Sequence, residues 1–208
     1  MRGSARVIHW HPCLFDRVAE TKVDRHYFYQ GVWGMEKIFR RLPDAHIDIG
    51  SDVKFVGMLS RLTKVVFVDI RPFRPGLDNF YAVEASLLHL PFAGNSVASV
   101  SCLSVAEHIG LGRYGDPIDP EGPCKASREL ARILAPGGNL YFSTPIGRPR
   151  VCFNAHRIFS FMEIINLFDD LDLVDLSVVD DNGKFLRGVD PNGFYSQIYA
   201  NGLFHFTK

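Results

Sequence analysis

Between Ala45 and Thr144, short apolar runs alternate with segments of helical period, and this alternation restricts the fold more than any other feature of the chain. Ala45–Ile49, Lys64–Ile70, Phe80–Val83, Val97–Leu103 and Asn139–Thr144 are short and rich in Val, Ile, Phe and Leu, which predicts strands. Ser51–Arg61 reads as a helix, as does Asp119–Leu134, with Asp119 at the cap, Pro120 in the first turn and Pro136-Gly137-Gly138 as the stop. Strands separated by helical crossovers pair in parallel, so the series predicts an α/β fold.

Flanking segments extend the pattern. From Arg25 to Leu42, Phe28, Val32, Met35, Ile38, Phe39 and Leu42 recur every three or four positions, as in an amphipathic helix ended by Pro43. Ser160 with Glu163 forms a capping box that starts a helix to Phe168. Leu171–Val179 and Gly193–Phe206 supply two more strands, although Asn201-Gly202 inside the latter is also a hairpin signal. The expected architecture is a doubly wound, mostly parallel seven-stranded sheet with helices on both faces. In such sheets ligands bind beyond the carboxyl ends of the strands, so function is sought just after each one.

At 208 residues the chain is read as one domain, 1–208, in which 1–43 form an aromatic helical segment. Its 47% hydrophobic and 22% charged residues fit a packed globular protein. Twenty-three Lys and Arg balance 23 Asp and Glu, so no basic field exists to gather nucleic acid. No apolar run is long enough for a membrane helix, and no signal-peptide core is evident, which leads to an expected cytoplasmic location. Cys13, Cys102, Cys124 and Cys152 are scattered without a CxxC pair, so reduced thiols are expected. His9, His11 and Cys13 cluster, yet no distant ligands accompany them, and Asp116, Asp119 and His108 lack a defined ligand spacing. No metal is assigned.

Strand ends carry the chemistry. Asp48-Ile49-Gly50-Ser51-Asp52 follows the first strand, where glycine permits a tight turn and the next helix offers free amides. Asp69 closes the second strand about 20 residues later, the spacing at which an acid holds ribose hydroxyls. Glu84-Ala85 precedes Leu90-Pro91-Phe92, Glu107-His108 follows the fourth strand, and Leu134-Ala135-Pro136-Gly137-Gly138 precedes the fifth. In this order the segments resemble the class I S-adenosylmethionine-dependent methyltransferases. Gly112 to Pro120, Thr144 to Gly147 and Arg150 to Arg157 are similar, more narrowly, to a family of methyltransferase-like proteins catalogued as a domain of unknown function. The resemblance covers about residues 24 to 180.

It implies S-adenosylmethionine as cofactor, with Asp48, Gly50 and Ser51 beside its methionine portion and Asp69 on its ribose. Ile70 would pack on adenine, Glu84 and the Ala85 backbone would meet the adenine edge, and Leu103 and Ser104 would lie near the sulfonium. The departure is at the first turn, where the superfamily alternates glycines and this chain has only Gly50. A Val53 or Lys54 side chain there would narrow the pocket. The missing glycines count more heavily against a nicotinamide dinucleotide, whose pyrophosphate needs a fuller cradle.

Methyl transfer to a hydroxyl needs alignment and removal of a proton. His108 is the candidate base because imidazole titrates near neutrality, with Glu107 orienting a neighbour or holding substrate; structural capping is the alternative for both. Arg113, Tyr114 and Asp116 form a candidate substrate wall, or else a rigid turn. His156 and Arg157 face the mouth as anion-binding candidates, or satisfy their own loop. The segment from Trp10 to Trp33 is read as a lid or a homodimer face, with core packing the alternative for any single ring. The expected function is methyl transfer to a small-molecule or glycan-related acceptor; the alternative is a methyltransferase-fold binding or regulatory module without turnover.

Overall fold

The computed structural model describes residues 12–190 and 197–208. Helix α1 (Arg25–Arg41) leads into β1 (Ala45–Ile49), α2 (Val53–Leu59), β2 (Lys64–Asp69), β3 (Phe80–Glu84) and β4 (Val97–Leu103). A 3-10 turn at Ala106–His108 precedes α3 (Gly122–Ile133), β5 (Leu134–Ile146), the strand pair β6 (Arg150–Cys152) and β7 (His156–Ile158), and α4 (Phe161–Leu167). The chain closes with β8 (Asp172–Val179), β9 (Phe185–Leu186) and β10 (Ala200–Thr207).

The main sheet runs β3-β2-β1-β4-β5-β10-β8-β9. Its first five strands are parallel, β10 is antiparallel to both β5 and β8, and β9 is antiparallel to β8. Among the described residues the sheet therefore has eight strands rather than the expected seven. The added β9 pairs through only Phe185 and Leu186, too short a run for a period of two to register. The order reverses between β1 and β4, and the site is built there.

Both faces carry helices. Trp33 and Ile38 of α1 join Phe55 and Leu59 of α2 against Val65, Phe67, Tyr141 and Leu203. Leu130 and Ile133 of α3, with Ile164 of α4 and Phe168, cover Val100, Phe142 and Phe204 on the other face. Removing such side chains from water stabilises the fold by roughly 1.5–3 kcal/mol each.

Local chemistry sets the element ends. Asp24 caps α1 by accepting from Tyr27 N at 3.2 Å, and Leu42 ends it in the left-handed region. Asp52 caps α2 through Lys54 N and Phe55 N, so that helix starts at Val53, later than expected. The Ser160–Glu163 capping box forms in both directions. Helix α3 begins at Gly122 rather than near Asp119, because Asp119 instead accepts from Glu121 N at 3.0 Å and pairs with Lys125 at 2.6 Å. It ends at Ile133, and Pro136-Gly137-Gly138 belong to β5, where Gly137 N donates to Lys208 O at 2.7 Å.

Asn201-Gly202 makes no hairpin. Both lie inside β10, opposite Pro145 and Thr144 of β5 and Val179 and Val178 of β8, so ladders on both sides hold them extended. Gly202 has a packing reason: a Cβ there would meet the Phe204 ring at 2.5 Å. The first part of that expected strand, 193–196, lies outside the described residues.

Helix α1 also turns its stripe in an unexpected direction. Phe28, Val32 and Phe39 are exposed, while Gln30, Trp33, Gly34 and Ile38 are buried. The exposed side lines an open apolar groove of about 680 Å³ between α1 and α2. Among the described residues, no helix is long and apolar enough to cross a membrane.

Candidate active site

Two cavities lie beyond the carboxyl end of β4 and share lining residues there. The first, about 210 Å³, opens where the turn after β1 faces the end of β2. Gly50 adopts φ 62° and donates to Val68 O at 2.8 Å; a Cβ on it would lie 3.4 Å from Asp69 Oδ2 and from the Val105 methyls. Asp69 Oδ1 accepts from Arg71 N at 2.7 Å, which turns Oδ2 to the glycine turn. Ile70, Ala85, Ser104 and His108 complete the near wall, with Tyr114 and Asp116 on the far side. Val53 and Lys54 are exposed residues of α2 and do not enter this cavity, contrary to the expected narrowing.

Several residues expected at the cofactor, Asp48, Ser51, Glu84 and Leu103, do not line this cavity. Asp48 is fully buried beneath the turn, accepting from Ser51 N at 3.0 Å and from the Ser101 hydroxyl. Ser51 Oγ accepts from Leu103 N at 3.1 Å, tying β1 to β4. Ser101 continues to His46 Nε2 at 2.8 Å, and His46 Nδ1 meets Ser99 Oγ at 2.8 Å. Since Ser101 gives its proton to Asp48, His46 Nε2 must donate and Nδ1 must accept from Ser99. Burial pushes the Asp48 carboxyl up to about 6 and His46 down to about 3. Glu84 is exposed, 3.9 Å from Arg74, and is not on the cavity wall. Ala85 lines the cavity, but its N–H is already donated to Asp69 O at 3.1 Å. Leu103 faces the α1–α2 groove instead.

The second cavity, about 220 Å³, is more polar and shares Ser104 and His108 with the first. Ser104 sits at φ 57°, where its Oγ donates to Gln30 Oε1 at 2.6 Å. Gln30 Oε1 also accepts from Ser143 Oγ at 2.8 Å and Asn201 Nδ2 at 3.1 Å, so one buried amide joins α1, β4, β5 and β10.

His108 Nδ1 lies 2.7 Å from Ala155 O in the link between β6 and β7. A carbonyl cannot donate, so Nδ1 carries the proton and Nε2 keeps its lone pair. Arg113 Nη1, 3.2 Å from that nitrogen, gives its hydrogen bond to the same Ala155 carbonyl at 2.9 Å. Burial, aided by Arg113, holds the His108 pKa below its usual value. Glu107 is 2% exposed, its Oε1 3.9 Å from His108 Nε2, and burial pushes its carboxyl up to about 8. At neutral pH the site therefore holds a neutral imidazole beside a protonated acid.

The expected substrate wall divides. Tyr114 meets His108 edge-on at 5.5 Å and lies between the guanidiniums of Arg71 and Arg113. Asp116 accepts from Gly110 N at 2.7 Å and holds its own turn. His156 lines the polar cavity, whereas Arg157 donates to Ile109 O and Asp119 O and closes the loop after His108. The sequence reading places the segment from Trp10 to Trp33 at the pocket as a lid or at a dimer face without singling out His26, Tyr27 or Gln30, and it misses Tyr199 and Asn201 near the start of β10. A glutamine between Trp33 and the α1 cap was the available signal. Among the described residues no three His, Cys, Asp or Glu side chains gather as metal ligands, and His9 and His11 lie outside them.

Residues 68–185, more than half of the chain, match the family described as Caenorhabditis protein of unknown function, DUF268. The chain belongs to the DUF268 family. No curated protein sequence matches this DUF268 chain. Its fold is that of the class I methyltransferases. A putative methyltransferase from Bacillus halodurans C-125 superposes with TM-score 0.60 at 13% identity, over 86% of this chain and 98% of that one. The N-methyltransferase NodS from Bradyrhizobium japonicum WM9 gives 0.60 at 14%, over 89% and 97%. The (4+2)-cyclase SpnF gives 0.64 at 11%, over 86% and 80%. A further NodS structure holds S-adenosyl-l-homocysteine.

Proposed function

We propose that this DUF268 chain transfers a methyl group from S-adenosylmethionine to a small-molecule acceptor, glycan-related compounds included. The observation that carries this reading is the Asp69 carboxylate held against the Gly50 turn at the sheet's switch point. The residues fit the cofactor's nucleoside half. Asp69 Oδ2 is free to accept from ribose hydroxyls, Ile70 offers an apolar face to a base, and Gly50 keeps the approach open. Alone, the 210 Å³ cavity is smaller than the roughly 300–1,000 Å³ of typical ligand sites; with the adjoining polar cavity it reaches that range.

When bound, the cofactor supplies a methyl group activated by positive sulfur. Ser104 and His108 border both cavities, so an acceptor in the polar cavity would present its nucleophile on their side. For a hydroxyl acceptor, His108 Nε2, with its lone pair free, would take the proton.

Calorimetric titration with S-adenosylhomocysteine, with NADH for comparison, tests the reading. Saturable micromolar binding that Asp69→Ala weakens by about tenfold or more, roughly 1.4 kcal/mol, is expected. A folded, monodisperse sample that does not bind overturns it. The second reading, a binding module without turnover, draws on the single glycine of the first turn. Binding without methyl transfer across an acceptor panel would favour it.

A further inference from the structure

Two buried oxygens of residues that line the polar cavity, Glu107 Oε2 and Asn201 Oδ1, make no hydrogen bond of normal length; the Thr144 hydroxyl, itself unpartnered, is the neighbour that acts to lower the Glu107 pKa. Both residues are 2% exposed, and a buried polar atom left without a partner destabilises the fold. Asn201 is held in this orientation by its Nδ2, which donates to Gln30 Oε1; reversing the amide would set two oxygens against each other. His108 Nε2 adds a third acceptor, because its ring partner Nδ1 has the proton and spends it on Ala155 O.

With Glu107 ionised, three acceptors border one small volume, which favours a ligand rich in donors. A hydroxyl brings one proton and a carboxylate none, whereas a primary ammonium brings three. Tyr27, Tyr199 and His26 line the wall of the same cavity. Arg113, a cation on that wall, is turned to the Ala155 carbonyl and packs over the Tyr114 ring at 5.1 Å.

We infer that the polar cavity takes a small primary amine, held by Glu107, Asn201 and His108 Nε2, and that nitrogen is the atom methylated. The inference rests on the methyl-transfer reading. The amine enters as its ammonium, whose positive charge draws Glu107 into its carboxylate form, the acid's own proton leaving to solvent, and the two then pair. One N–H proton passes to Glu107, where burial favours the neutral acid, and nitrogen gains its lone pair. The N–C bond forms as the S–C bond breaks, the electron pair of the broken bond stays on sulfur, and the positive charge passes to nitrogen. The products are an N-methylammonium and a neutral thioether.

Benzylamine, benzyl alcohol and benzoate share a shape and differ in donors; glucosamine and glucose form a second such set. Each is titrated by calorimetry into the protein alone and into protein saturated with S-adenosylhomocysteine. In at least one set the amine should bind about tenfold more tightly than its oxygen counterparts, and E107Q should reduce that preference to about threefold or less. The wild-type ratio decides the matter by itself if E107Q fails to fold. An oxygen counterpart that binds as tightly as its amine, or no saturable amine binding in either set, overturns the inference. Loss of S-adenosylhomocysteine binding strikes the methyl-transfer reading separately, since the amine preference is also read in the unloaded protein.

Discussion

His108 Nδ1 reaches across 47 residues to the carbonyl oxygen of Ala155, at 2.7 Å, and this single bond decides which ring nitrogen faces the cavity. The β6–β7 strand pair thereby sets the tautomer of a residue on the far side of α3 in sequence. Neither His108 nor the pair defines the site without the other.

If His108 removes a proton, kcat/KM should rise with pH along a limb centred below 6.5, because burial and Arg113 both disfavour the imidazolium. His108→Gln should lower kcat by about 100-fold or more and remove that limb. A pH–rate profile of the two proteins checks this; an unchanged limb in the variant would assign it to another group.

Asp48 makes stability depend on pH. Its folded pKa of about 6 exceeds the 3.8 of the unfolded chain, so between these values the folded state binds more protons. The contribution is therefore full below about 3.8 and is lost as pH rises through about 6. Asp48→Asn should gain on the wild type over that window, by up to about 3 kcal/mol in difference. Urea unfolding of both proteins at pH 4 and pH 7 measures it, and a difference independent of pH would refute the assignment.

Gly110 holds the loop behind His108. It adopts φ 75°, and a Cβ would fall 2.0 Å from Asp119 O, which is backbone and has little room to yield. Gly110→Ala should cost about 2 kcal/mol or more and shift the urea midpoint accordingly. A shift within about 0.5 kcal/mol would mean that the loop relocates freely.

Gln30 is the acceptor for Ser104, Ser143 and Asn201 together. Gln30→Leu leaves those donors buried without it and should destabilise by about 2–4 kcal/mol, while Gln30→Glu, which keeps an acceptor oxygen, should cost less. Thermal unfolding of the two variants separates a hydrogen-bonding role from simple packing, for which the Leu variant would be the milder change.

The sequence by itself determined the parallel half of the sheet. Short apolar runs divided by helical crossovers are local signals, and Ala45–Ile49, Lys64–Asp69 and Val97–Leu103 were legible within a residue of their ends. So were Gly50 and Asp69, because strand-end turn chemistry and a spacing of about 20 residues are written along the chain. Tertiary structure decided the rest. Asn201-Gly202 reads as a turn locally, yet ladders from β5 and β8 on either side hold it extended. Phe28, Val32 and Phe39 read as a core stripe on α1, but the helix buries the Gln30–Trp33 side, because Gln30 finds three donors there and Trp33 packs against Tyr141. The polar cavity joins α1, the end of β4, the β6–β7 pair and the start of β10, and the orphaned oxygens of Glu107 and Asn201 exist only in that assembly. Hydrogen-bond satisfaction is a property of what surrounds an atom, and no pattern along the chain encodes it.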